Sequence, residues 1–526
     1  MKFLPIILSG IASGLLLTLG YAPFDQAWAG WIFLLPLALT MTLCRCPWRW
    51  ALAAGYLFGV AHFATSLYWL TTVSVLGWAA LTLYLALYFA AWTAWWRWRA
   101  HPLPVTPNSA RNFSLILGGA AAWVALEWLR GALFTGFPWN QLGVTQHAVV
   151  GLVQSAEFGG VLLVSWLVAL GNLAVVMVGV RLWRELRRGQ LARARWEFTL
   201  TLAIIGVTFA LGARGLFKKP AYVGVLRYLA VQPNFPNDPW RADVTVDEAL
   251  AKMYVLSVSG LARAPGPVDL VIWPETPVGD ELYLALDFPR VRRALTVARG
   301  GAWLFGSNIY TAGGIYNGAL LYAADHGEPQ DYYKNHLVPF GEYTPLKNVL
   351  PWLLQLTPVS VDFSAGADTA SLTLANTAPP LRIAPLICFE DAFAAQARRA
   401  ARHGAELFVN LTNDGWFKDS AAPAQHLHNA VFRAVENRLP LLRVTNSGVT
   451  AEISERGVTR KVLQDAAGKT FIDGALYGAL PIPPRYETVY QCWGDWIAGL
   501  SAVILLIVSA GKISRKKLVP ASPPPR

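Results

Sequence analysis

Hydrophobic and polar positions divide this chain into a long apolar part, a polar block and a short apolar end. A bilayer crossing needs about 20 apolar residues. Runs of roughly that length recur near 4–20, 28–44, 51–70, 74–96, 113–135, 148–180 and 197–215, and one more covers 493–510. The pattern predicts a membrane domain of about seven transmembrane helices over 1–216, a polar domain over 217–489, a C-terminal transmembrane helix over 490–511 and a basic, Pro-rich tail over 512–526. The 148–180 run is too long for one plain span and is expected to contain an interfacial or re-entrant portion. The first run, behind Lys2 and followed by AWA at 27–29, has the outline of a signal peptide. Because further spans follow it, it is expected to remain as a span.

The polar block alternates in another way. Short β-type runs stand at Tyr222–Val231, Leu270–Trp273, Trp303–Ile309, Gly318–Ala323, Ile383–Cys388, Leu407–Leu411 and Leu441–Val444. Segments of helical period lie between several of them, near 244–263, 286–299, 392–404 and 424–438, and a β-rich tail covers 449–480. Strands separated by helices predict an α/β domain whose sheet faces are covered.

Charge orients the membrane part. Lys and Arg occupy alternate connections: Lys2, then Arg45 and Arg49, then Arg97, Arg99 and Arg111, then the set from Arg181 to Arg195, and finally Lys512 to Lys517. The short connections around 21–27, 71–74 and 136–147 carry none. Positive residues stay on the cytoplasmic side, so both termini are expected inside and the polar block outside. The net charge of +12 is then largely orienting charge facing anionic lipid, and no nucleic-acid partner is needed to explain it. A mean hydropathy of +0.38 with 23 Trp excludes an ordinary soluble enzyme. Trp and Tyr in outer connections such as YAPFDQAWAGW and LFTGFPWNQLG fit an aromatic belt or the wall of a lipid entrance. Glu127 and Arg130, three apart within a span, are read as a structural pair.

The candidate chemistry lies in three runs of the polar block: VIWPETP with Glu275, YYKNHLVPFGEYTP with Lys334 and Glu342, and APLICFED with Cys388. Cys388 ends an apolar strand where a helix begins, a place where helix amides lower a thiol pKa and offer oxyanion donors. It stands alone in the polar block, either a small buried hydrophobe or a nucleophile. Glu275 follows a strand and a proline under the apolar cover of Trp273, and a buried carboxylate there serves as a general base. Lys334 is either a snorkelling surface residue or, held near Glu342, a fixed cation for a developing oxyanion. Carboxylate, amine and thiol together can make, stabilise and resolve a thioester, which points to an acyl-handling enzyme. Asn413 and Trp416, in NDGW after an apolar strand, either line the same mouth or form an ordinary strand-end turn, as does RVTNSG at 443–448. His426 and His428, two apart in a helical run, point to different faces, so neither a metal site nor any cofactor is expected.

These contexts resemble the nitrilase superfamily and, more closely, its integral-membrane branch, the bacterial apolipoprotein N-acyltransferases. The resemblance rests on the FAP and GFPWN segments, VQPNFP at 231–236, WPET at 273–276, KNHLVPFGEYTP at 334–345, ICFED at 387–391, NLTNDGWF at 410–417 and QHLHNAVFRAVENRLPLLRVTNSGVTA at 425–451. It implies an extracytoplasmic αββα sandwich beside a multi-span α-helical membrane domain. It also implies Glu275 as general base, Lys334 as oxyanion stabiliser and Cys388 as nucleophile. Glu342 then orients the lysine, Glu390 supports the site, and Trp240 contacts substrate. Phe389 stands where the family often has Tyr, and Pro239 precedes Trp240 where a Lys is expected. The implied reaction is ping-pong: an acyl chain passes from the sn-1 position of a membrane phospholipid to Cys388, then to the α-amino group of the diacylglyceryl-modified N-terminal cysteine of an apolipoprotein. A monomer in the bacterial inner membrane, with its catalytic domain on the periplasmic side, is expected. Aromatic arms near 340–365 and 412–420 would shield the thioester. Two rival readings stay open: a membrane-tethered amidase in which water resolves the thioester, and a transporter or lipid-binding scaffold.

Overall fold

The computed structural model describes residues 3–101, 108–189, 195–217, 221–236, 244–277, 301–322, 329–351, 362–367 and 371–517. Trp240, the expected helix 286–299 and part of the 340–365 segment lie outside these residues. The chain divides into two units, Met1–Gly215 with Asp495–Arg526, and Leu216–Gly494.

The first unit is helical. It comprises α1 (Leu4–Thr18), α2 (Leu35–Leu43), α3 (Trp48–Ser66), α4 (Val75–Ala100), α5 (Ser109–Ala132), α6 (Val150–Val153), α7 (Ala156–Arg187) and α8 (Trp196–Ala213), with a last helix over Trp496–Lys517. Among the described residues, Val75–Ala100, Ser109–Thr135, Ala156–Arg187 and Trp196–Phe217 are long and apolar enough to cross a membrane. Leu4–Thr18, Ala27–Leu43 and Trp496–Ala510 are shorter apolar helices. Small residues set how closely the helices approach, as expected where lipid supplies no hydrophobic drive between them. A Cβ on Gly10 would lie 2.2 Å from the Ala54 carbonyl oxygen, and one on Gly14 would lie 2.4 Å from that of Phe58, so α1 meets α3 backbone to side-chain-free backbone. The long apolar run near 148–180 is broken: α6 is a single turn, and Gly159 and Gly160 leave helical geometry inside α7, Gly160 at φ +67°. Glu127 and Arg130 are both buried. Arg130 donates to the carbonyl of Trp139 at 2.6 Å, and the Leu142 amide donates to Glu127 at 2.7 Å, so this pair ties down the loop that follows α5.

Among the described residues, the second unit holds twelve strands in two six-stranded sheets. The first has the order β12-β1-β2-β3-β4-β5, built from β1 (Gly224–Gln232), β2 (Leu270–Ile272), β3 (Ala302–Thr311), β4 (Gly314–Tyr322), β5 (Gln330–Tyr333) and β12 (Gly474–Ile482). The second runs β11-β10-β9-β8-β7-β6, with β6 (Leu372–Leu374), β7 (Leu381–Ile387), β8 (Leu407–Thr412), β9 (Leu441–Thr445), β10 (Ala451–Ile453) and β11 (Thr459–Val462). Strands β1, β2 and β3 are mutually parallel, as are β7, β8 and β9.

Side chains alternate across a strand, and that period sorts the core into layers. Leu226, Tyr228 and Ala230 of β1, Leu270 and Ile272 of β2, and Leu304 of β3 pack against Ile383, Ile387, Val409, Leu411 and Val444 of the other sheet. The interleaved Leu229, Val231, Val271, Trp273, Trp303 and Phe305 face outward onto Leu250, Met253 and Leu261 of α9 (Val246–Arg263). Each fully buried Leu or Phe here contributes about 1.5–3 kcal/mol. Thr245 and Glu248 close a reciprocal cap at the start of α9. On the far side, α10 (Ala394–Arg402) and α11 (Ala422–Asn437) contact β7 and β9. Two facing sheets with helices outside form an αββα sandwich, and the parallel strands leave their C-terminal ends together at one edge.

Candidate active site

Each reactive side chain sits just past one of those strand ends. Trp273 follows β2, its indole donating to Ser257 at 2.9 Å and its ring edge-on to Trp303, 4.5 Å between centroids. That anchor and the bond from the Gly306 amide to the Pro274 carbonyl, 3.1 Å, deliver Glu275 beside β3. Gly306 has a reason to be glycine: a Cβ there would stand 2.7 Å from Glu275 Cα and 2.8 Å from the Thr276 nitrogen.

Lys334 follows β5 and is only 1 % exposed, so the snorkelling alternative fails. Its ammonium lies 2.9 Å from Glu342 Oε1 and 3.8 Å from Glu275 Oε1. Asn317 of β4 donates through one Nδ2 to Glu275 at 2.8 Å and to Glu342 at 2.9 Å, while the Val338 amide holds the second Glu342 oxygen at 2.8 Å. The three charged groups are thus one cluster with Asn317 at its centre. No sequence signal singled out Asn317 beyond a polar residue in the run IYNGALLY.

Cys388 follows β7 and takes φ +51°, the left-handed region that costs a non-glycine residue about 1–3 kcal/mol. Parallel pairing of Ile387 with Leu411 brings it next to Thr412 at the end of β8. Its thiol hydrogen-bonds with both Glu275 and Thr412. The expectation of a lowered thiol pKa is overturned. Burial pushes the thiol up, the nearby Glu275 charge pushes it further, and Lys334 and Thr412 only partly oppose them. The physical reason is that Cys388 opens a five-residue turn, Cys388–Ala392, rather than a long helix whose amides sum at its N-terminus. Burial, opposed by Lys334 and reinforced by Glu342, also raises the Glu275 carboxyl. Lys334 goes up as well: burial presses its ammonium down, but Glu342 and Glu275 outweigh that. The cluster therefore sets a thiol held toward its protonated form beside a carboxyl of raised proton affinity and a lysine held toward its charged form. It can drive a thiol onto a carbonyl and hold the resulting oxyanion.

Glu390 is buried and accepts from the amides of Ile387 (2.8 Å), Asn335 (2.7 Å) and His336 (3.1 Å) and from the Tyr332 hydroxyl (2.8 Å). It thereby clamps the Cys388 turn to the chain just after Lys334. Phe389 packs edge-on to Phe393, 5.0 Å between centroids. Asn413 accepts from the Gly415 amide at 3.2 Å and from Asn446 at 3.0 Å, so its side-chain oxygen closes the turn after β8. Trp416 is 43 % exposed on that turn. His426 is drawn into a buried polar group around the Cys388 turn, with Asp391, Asp414, Arg443 and Asn410. These residues come from four separate segments, which is why spacing along the chain did not reveal them.

Fold and cluster define the class. The family model described as "Carbon-nitrogen hydrolase" matches residues 239–472, and that described as "Apolipoprotein N-acyltransferase N-terminal domain" matches 13–174. A Geobacter metallireducens protein named apolipoprotein N-acyltransferase is 33 % identical over 97 % of this chain and 96 % of its own length. A Methylococcus capsulatus protein of the same name is 35 % identical over 96 % of each. A solved amidase of the nitrilase superfamily from Nesterenkonia AN1 is 17 % identical with a TM-score of 0.35, covering 50 % of this chain and 94 % of that one. The chain belongs to the apolipoprotein N-acyltransferase family, and it is a membrane protein.

Proposed function

We propose that this chain moves an acyl group from the sn-1 position of a membrane phospholipid, through a Cys388 thioester, to the α-amino group of a diacylglyceryl-modified N-terminal cysteine on an apolipoprotein. Family membership makes it an acyltransferase of lipoprotein maturation. The observation that carries the particular mechanism is the convergence of Glu275, Lys334 and Cys388 at neighbouring strand ends. In the first half-reaction Glu275 takes the thiol proton as the sulfur attacks the ester carbonyl, and Lys334 with backbone amides bears the oxyanion. The tetrahedral adduct collapses, the C–O bond breaks, and the lysophospholipid oxygen leaves with the proton held by Glu275. In the second, the acceptor amine attacks the thioester, Glu275 takes the amine proton, the C–S bond breaks and the thiolate recovers a proton. Glu342 and Asn317 orient Lys334 and Glu275. Both substrates stay in the lipid phase, since each buried CH₂ lifted into water costs about 0.8 kcal/mol. The alternation of basic connections supports a bacterial inner-membrane location with both termini cytoplasmic and the sandwich on the periplasmic side; we take the working form to be the monomer. Trp240, Asn413 and Trp416 are assigned to substrate contact.

The test is intact mass of the Cys388 peptide after purified enzyme meets phospholipid without acceptor. An acyl adduct discharged by a diacylglyceryl-cysteinyl peptide, and absent from Cys388→Ala, is the expected result. An adduct discharged by water as fast as by peptide would make the enzyme a hydrolase, and no adduct would remove Cys388 from the chemistry.

Gly306→Ala tests the placement of Glu275. Its new methyl meets only backbone atoms, which cannot swing aside, so the Glu275 segment must move. Misplacing a reacting group by about 1 Å costs about 10²-fold. The rate of adduct formation should fall by that order, and the crowding should also lower stability by about 1–3 kcal/mol. A wild-type rate would show that the segment relaxes without cost.

A further inference from the structure

The Cys388 carbonyl does not point toward the thiol cluster. It accepts two hydrogen bonds from the interior, from Asn410 Nδ2 at 3.1 Å and from His426 Nε2 at 3.1 Å. His426 is 1 % exposed, and both ring nitrogens have polar neighbours. Nε2 lies 2.7 Å from Asp391 Oδ1, and Nδ1 lies 3.0 Å from Asp414 Oδ1 and 2.8 Å from Arg443 Nη2. Asp391 Oδ1 and the Cys388 carbonyl, both beside Nε2, are acceptors. Nε2 therefore carries a hydrogen whether the ring is neutral or charged, and the tautomer follows from its surroundings. Asn410 is likewise set in one orientation, because its Oδ1 accepts from Arg443 Nη1 at 2.6 Å.

The Cys388–Phe389 peptide is trans, since among the described residues the cis bonds are Ala22–Pro23 and Ala378–Pro379. In a trans peptide the C=O and N–H point in opposite directions. Two donors that hold the Cys388 oxygen inward therefore hold the Phe389 N–H outward, in the opposite direction within the peptide plane. Cys388 has the strained positive φ at this point, so the plane needs such holding to persist.

We infer that His426, together with Asn410, is a positioning residue for acyl transfer: it fixes the plane of the Cys388–Phe389 peptide and so aims the Phe389 amide at the forming oxyanion. The ring touches no reacting atom and acts through the backbone. Burial and Arg443 press the imidazole pKa down, but Asp391 and Asp414 on opposite ring nitrogens outweigh them and hold it above its ordinary value.

The inference rests on Cys388 being the acylated residue, and the test separates the two. His426→Asn keeps a partner for Asp414 but has no atom where Nε2 stood; His426→Gln reaches the Nε2 position. In the full-length enzyme, two rates at Cys388 are compared: thioester formation from phospholipid, which builds an oxyanion, and alkylation by iodoacetamide, which builds none. Losing a well-placed oxyanion donor costs about 10²–10³-fold. For His426→Asn, thioester formation should fall by about 10–10²-fold, the donor being misaimed rather than deleted, while alkylation keeps its rate. His426→Gln should recover most of that loss. Should His426→Asn not fold, Asn410→Asp removes the other donor to the same carbonyl while still accepting from Arg443, and the same split is expected. A wild-type enzyme that forms no thioester overturns the reading of Cys388 and this inference with it. A wild-type enzyme that does, beside a variant that keeps full acylation or loses both reactions equally, overturns this inference alone.

Discussion

Replacing Lys334 by methionine should abolish acyl transfer and also weaken the fold. Methionine matches the length and apolar stem of the lysine, so the change isolates the charge. Without the ammonium, Glu275 and Glu342 remain buried around Asn317 with no cation between them. Removing one member of a buried ion pair costs about 3–5 kcal/mol. That penalty belongs to the ionised carboxylates. It is therefore largest near neutral pH and shrinks as acid protonates them, so the stability gap between variant and wild type should narrow on acidification. Activity should fall about 10³-fold or more, because the oxyanion loses its cation. The base is impaired as well. Lys334 is what opposes the upward push of burial and Glu342 on the Glu275 carboxyl, so the Glu275 pKa climbs further without it. Since Glu275 must be ionised to accept the thiol proton, any residual acylation should show its acid limb at higher pH than in the wild type. Adding Glu342→Gln removes the second carboxylate and should return part of the stability without returning activity. Thermal unfolding across pH, alongside single-turnover adduct formation, measures all of this. A Lys334→Met enzyme with wild-type stability would mean that the cluster is more hydrated than its burial indicates.

The positions of the reactive groups were legible because they obey local rules. β2 reads as a strand from Leu270, Val271 and Ile272 alone, and the proline after it marks where Glu275 must leave the sheet. The alternation of strands with segments of helical period already implied covered sheet faces. The four-layer arrangement and the roles of Glu275, Lys334 and Cys388 came from resemblance to a family and not from periodicity. Long-range pairing was not legible. β12 lies in the C-terminal tail beside β10 and β11 in sequence, yet it crosses to pair with β1, opposite Tyr228 through Gly478, in the other sheet. The thiol pKa was misjudged because a strand-to-helix junction looks alike in sequence whether a long helix or one short turn follows. His426 was read from its spacing to His428, and that spacing holds no information about Asp391, Asp414 and Arg443. Electrostatic balance in a buried cluster depends on which elements meet, and only the packed chain shows that.

Arg443 illustrates the point and should give the largest loss of stability of any single change in the sandwich. It projects from β9 into full burial and reaches Asp414 at 2.6 Å, Asp391 at 3.1 Å and the Asn410 side-chain oxygen at 2.6 Å, beside the His426 ring. A planar guanidinium can meet these partners at once; an ammonium is a point charge and cannot. In Arg443→Met, Asp391 and Asp414 lose the guanidinium that lies between them, and the Asn410 amide loses the bond that sets its orientation. The uncompensated buried charge alone costs about 3–5 kcal/mol, a large part of the 5–15 kcal/mol that holds a typical domain together. Arg443→Lys should recover some stability, because charge balance returns, but little acylation, because one ammonium cannot span both aspartates and Asn410. Stability and activity should therefore separate between the two variants. If lysine restored both equally, the network would be acting through its charge alone; if the geometry matters as the two bonds to the Cys388 carbonyl require, Arg443→Lys will be a folded enzyme with a poorly aimed nucleophile turn.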